Sequence, residues 1–87
     1  MKMIILILKD SDSETVTQAL TSADYRVTRV ASTGGFLRSG VATLLLGVDN
    51  DRVDSAIGLI REKISKAAPN EKRATLFVVP VERFEQV

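Results

Sequence analysis

An α+β domain with elements in the order strand-helix-strand-strand-helix-strand is the fold class this sequence predicts. Three observations predict it. Short runs dense in apolar residues occur at residues 3–8, 41–48 and 74–79. Two other stretches carry apolar residues at helical spacing. A glycine-rich connection joins the second strand to the third.

Each element follows from local chemistry. Met3-Ile4-Ile5-Leu6-Ile7-Leu8 lacks alternation and reads as a strand apolar on both faces. Ser11-Asp12-Ser13-Glu14 opens a helix, with Ser11 as the cap and Glu14 completing a capping box. Val16, Ala19, Leu20 and Ala23 form its apolar stripe. Residues 25–32 read as the second strand, with Tyr25 and Val27 on one face and Arg26 and Thr28 on the other. The alternation breaks near Val30 and Ala31, which points to a bulge. Residues 33–40 are the glycine-rich connection, and Val41–Val48 is the third strand. Asp49-Asn50-Asp51 caps a second helix that buries Val53, Ala56, Ile57, Ile60 and Ile64. Arg61, Glu62, Lys63 and Lys66 form its solvated side. Ala68-Pro69-Asn70-Glu71 turns the chain, and residues 74–79, closed by Pro80, are the fourth strand, with Phe77 in the core. Residues 81–87 receive no assignment.

This is the ferredoxin-like order, in a single domain over residues 1–87, with both helices on one face of a four-stranded antiparallel sheet. The first, third and fourth strands are apolar on both faces, yet the helices cover one. An identical subunit is the simplest cover for the other, so a homo-oligomer is expected.

Composition removes several function classes. There is no Cys and no His, which excludes disulfides, thiol chemistry and the commonest neutral-pH base and metal ligand. Twelve basic residues against 11 acidic leave a net charge of +1, which is not a surface built for nucleic acid. No run is long enough to span a membrane. A cytoplasmic protein without cofactor, metal or catalytic residues is expected. Asp10, Asp12, Asp49, Asp51 and Asp54 read as helix caps and dipole partners.

The segment Thr33-Gly34-Gly35-Phe36-Leu37-Arg38-Ser39-Gly40 carries the most functional information. Paired glycines suit an anion-binding nest of backbone N–H groups. Phe36 suits stacking on a flat ligand, and Arg38 a phosphate or carboxylate. Arg26 and Thr28 on the preceding strand would complete a pocket. The same segment also reads as a hairpin loop with Phe36 and Leu37 packed on a neighbouring subunit. Phe84, in the polar tail, fits a subunit boundary or a pocket lining.

The stretches Met1-Lys2-Met3-Ile4-Ile5, Thr33-Gly34-Gly35-Phe36-Leu37-Arg38 with Gly40, Gly47-Val48 leading to Asp51-Arg52-Val53-Asp54, and Thr75-Leu76-Phe77-Val78-Val79-Pro80-Val81 resemble the PII-like cyclic-di-AMP receptor family. The resemblance implies a ferredoxin-like homotrimer with a nucleotide site in clefts between subunits. It implies binding roles for Arg26, Thr28, Gly35, Phe36, Leu37 and Gly47; the glycine-nest and cation chemistry adds Gly34 and Arg38. Two features depart from the family pattern. Asp24 and Val41 stand where the family carries asparagines, and its long excursion before the last strand is reduced to residues 66–73. The implied function is non-enzymatic signalling through cyclic-di-AMP, with an unidentified protein partner downstream. The alternative is a related trimer that serves as an interaction module or senses another small anion.

Overall fold

The computed structural model describes residues 1–30, 40–64 and 72–87. Strand β1 spans Lys2–Lys9, helix α1 Asp10–Ser22, strand β2 Arg26–Val30 and strand β3 Val41–Val48. A 3-10 turn at Asn50–Arg52 leads into helix α2, Val53–Lys63, and strand β4 is Ala74–Pro80. The sheet order is β2-β3-β1-β4, with every neighbouring pair antiparallel. The ferredoxin-like α+β architecture is therefore present as the sequence predicts, and β3 has the predicted bounds.

Alternation divides the sheet into two faces. Ile4, Leu6 and Leu8 of β1 point to the helices, as do Ala42, Leu44, Leu46 and Val48 of β3, and all are buried. Val16 and Leu20 of α1 and Ala56 and Ile60 of α2 close over them, completing the core with Tyr25. Truncating a fully buried residue such as Leu44 to Ala costs about 2–5 kcal/mol, because apolar contact is lost and a cavity remains.

The opposite face carries Met3, Ile5 and Ile7 of β1, Leu45 of β3 and Phe77 of β4, none of them fully buried. Phe77 is 52 % exposed, which corrects its assignment to the core. Its parity puts it on the face without helices, and β4 is an edge strand, so only Ile5 of β1 lies beside it in the ladder. A continuous apolar strand on an uncovered face looks the same in sequence as one buried on both.

The helix starts also differ from expectation. Asp10 N–H donates to Gly40 O at 2.7 Å, which fixes Asp10 as the first helical residue. Ser11 then lies inside the first turn, no side chain caps the helix, and Ser13 Oγ donates to Asp10 O at 2.8 Å. The capping box is not formed. Asp49 precedes the 3-10 turn without a side-chain cap, and Arg52 N–H donates to its carbonyl at 2.9 Å. Asp10 and Asp12 are ion-pair partners instead. Asp10 pairs with Arg29 of β2, and Asp12 pairs with Arg73 at 3.4 Å, ahead of β4. The second strand begins one residue later than predicted, at Arg26. Val30 keeps a regular register with Thr43, while Ala31, the other position of the expected bulge, and Ser32 lie outside the described residues.

The turn after α1 is held twice. Asp24 adopts a left-handed conformation (φ 67°), with Tyr25 N–H bonded to Leu20 O and Asp24 N–H to Thr21 O. That pair of bonds closes a helix C-terminus, and a short polar residue tolerates the positive φ. The Arg52 guanidinium lies 4.1 Å from the centroid of the Tyr25 ring and donates to Ala23 O at 2.9 Å. The start of α2 is thereby stapled to the end of α1.

Candidate functional site

The register aligns one row of residues on the open face: Arg26 of β2, Gly47 of β3, Met3 of β1 and Val79 of β4. A second row places Thr28 beside Leu45. Gly47 contributes no side chain, so the row has a gap between Arg26 and Met3. A Cβ there would meet only Met1 Cε, at 3.7 Å, an ordinary contact. The subunit's own packing therefore does not require glycine at this position.

The gap opens into a groove of about 900 Å3, within the size range of small-molecule sites. One wall is Arg26 and Thr28, with Leu45 and Gly47 beneath them. Met1 and Met3 form the floor. The other wall is the segment after β4, including Glu82, Arg83 and Phe84. Val81 N–H donates to Met1 O at 3.1 Å, which continues the β1–β4 register and sets the start of this segment beside Met1. Phe84 stays 64 % exposed while lining the groove.

Two guanidiniums, Arg26 and Arg83, face one carboxylate, Glu82. Arg26 has no ion-pair partner among the described residues, while Arg83 pairs with Glu85 at 2.7 Å. Methionine side chains and an aromatic ring give the groove a soft, apolar lining suited to a flat ligand. Among the described residues, no group of three or more carboxylates could hold a metal ion. No helix among them is long and apolar enough to cross a membrane.

Three of the sequence-predicted residues, Arg26, Thr28 and Gly47, thus line one groove. Gly34, Gly35, Phe36, Leu37 and Arg38 lie outside the described residues. Asp24 and Val41 are not among the groove's lining residues. Asp24 closes α1, and Val41 sits at the far end of β3, opposite Lys9. Sequence reasoning did not find the methionine floor, and of the wall after β4 it singled out only Phe84, as a residue at a subunit boundary or lining a pocket. Residues 81–87 have no periodicity that would signal a fixed position.

Fold and groove together define the class: a ferredoxin-like α+β protein with a cation-bearing groove on the face its helices leave open. A sequence model of the cyclic-di-AMP receptor family matches residues 1–69. The chain belongs to the cyclic-di-AMP receptor family, which is a family of receptors and not of enzymes. It is also similar to a crystal structure titled as a functionally unknown protein from Pediococcus pentosaceus ATCC 25745. The TM-score is 0.77 at 28 % identity, over 99 % of this chain and 96 % of that one.

Proposed function

We propose that the protein is a non-enzymatic cytoplasmic receptor for a small anionic nucleotide, with cyclic-di-AMP the leading ligand. The observation that carries this reading is Arg26, without an ion-pair partner among the described residues, facing a side-chain-free gap at Gly47 in the groove. An arginine so placed offers planar, charge-assisted donors to a phosphate. Thr28 adds a hydroxyl, and the apolar lining accommodates a base. Family membership favours cyclic-di-AMP among nucleotides.

The working form in this reading is a homotrimer with the ligand in clefts between subunits. Its support is the open face, where Ile5, Leu45 and Phe77 form one row left uncovered by the helices. Gly34, Gly35, Phe36, Leu37 and Arg38 contribute to the same site through the family resemblance. A protein partner would read the bound state.

Calorimetric titration against cyclic-di-AMP, cyclic-di-GMP, ATP and AMP tests the proposal. Saturable binding of cyclic-di-AMP, tightest of the four, is expected. Absence of binding to all four would leave the related reading of a trimeric interaction module or a sensor of another anion.

A further inference from the structure

The groove has an arginine on each side. Arg26 projects from β2, and Arg83 belongs to the segment that follows β4. Strands β3 and β1 lie between these two sides, and adjacent strands are about 4.8 Å apart. Arg83 lies three residues beyond the end of β4, so the two arginines reach the groove from different elements. A ligand with two phosphates can therefore offer one to each arginine.

The two arginines differ in how they are held. Arg26 has no ion-pair partner among the described residues, and Arg83 is paired with Glu85 two residues along. Both members of the Arg83–Glu85 pair are mostly exposed, with 78 % and 59 % of their side-chain surface accessible. Such pairs are weak and exchange readily. Glu85 does not line the groove, but Arg83 does. A ligand phosphate in the groove therefore competes with Glu85 for a guanidinium that is already there.

We propose that Arg83 is the second phosphate-binding arginine of this site, with Glu85 as its resident competitor in the free protein. This rests on the nucleotide reading above and adds that the site has an arginine for each phosphate of a two-phosphate ligand. Arg26 takes one phosphate, and Arg83 leaves Glu85 to take the other. Glu85 thereby sets the affinity without touching the ligand.

The test is calorimetric titration of the full chain with cyclic-di-AMP and with AMP, which has one phosphate. The variants are Arg83→Gln, Glu85→Gln and the double substitution. Arg83→Gln should weaken cyclic-di-AMP roughly tenfold or more, as expected for a lost hydrogen bond to a charged group, and change AMP by less than about twofold. Glu85→Gln should tighten cyclic-di-AMP by about two- to fivefold, the scale of an exposed ion pair. It should have no such effect in the Arg83→Gln background. Melting temperatures should not move, because both side chains are exposed. If the unmodified protein binds no nucleotide, the functional reading falls and this assignment with it. If it binds cyclic-di-AMP and Arg83→Gln leaves the affinity unchanged, or weakens AMP equally, the reading stands and the role of Arg83 is overturned.

Discussion

Arg26 stands directly opposite Gly47 in the ladder between β2 and β3. The only cation of the second strand that faces the groove thus has a neighbour without a side chain. Filling that gap separates binding from folding. Gly47→Ala adds a Cβ in ordinary contact with Met1 Cε and restricts the unfolded chain. Stability should be unchanged or rise by up to about 1 kcal/mol. Gly47→Val should block the groove and weaken nucleotide binding at least tenfold, read by calorimetry. Full affinity in the valine variant would remove Gly47 from the site.

Charge at Arg26 should contribute directly. Arg26→Ala should lose about 1.5–3 kcal/mol of binding, roughly tenfold to a hundredfold, the range for hydrogen bonds to charged groups. Arg26 is exposed, so the penalty should shrink as salt rises. Titrations at low and high ionic strength check this. A penalty that is independent of salt would indicate packing and not charge.

Phe77 should report on assembly and not on folding. Sedimentation at micromolar concentration should give about three times the chain mass of 9.5 kDa. Phe77→Glu should lower that mass while retaining the helical circular dichroism, because the ring packs outside the core. A wild-type chain that sediments as a monomer would defeat this account of the open face.

The two ion pairs at the start of α1 should differ in strength. Arg73–Asp12 keeps 16 % and 10 % of its side-chain surface, against 57 % and 53 % for Arg29–Asp10. Asp12→Ala should cost about 1–3 kcal/mol, because it removes a charged hydrogen-bond acceptor from a mostly buried guanidinium. Asp10→Ala should cost under about 1 kcal/mol. Urea unfolding of both variants gives the comparison, and equal costs would contradict it.

Much of the fold was legible because it rests on period. The run Val41–Val48 and the stripe Val16–Leu20 read correctly, since burial on a strand or helix repeats along the sequence. Phe77 did not, because a residue apolar on an open face cannot be distinguished by pattern from one in the core. The partners of Asp10 and Asp12 were also hidden. Arg29 and Arg73 come from distant segments, and only the topology brings them to the first turn of α1. At the site, Arg26 and Thr28 were legible from their shared strand face. Arg83 and the methionine floor were not, since only the pairing of β4 with β1, which ends with Val81 beside Met1, brings the two ends of the sequence together.

The position of β1 also bears on how the chain folds. It is the inner strand whose neighbours, β3 and β4, both come later in sequence, with Leu8 meeting Ala42 on one side and Ala74 on the other. Such non-local pairing must close long loops before it gains contacts, which slows folding. During synthesis this strand leaves the ribosome before either partner exists. Its β4 edge is paired only when residues 74–80 follow. Until then Ile4-Ile5-Leu6-Ile7-Leu8 is a bare strand edge, the kind of segment that chaperones shield and aggregation exploits.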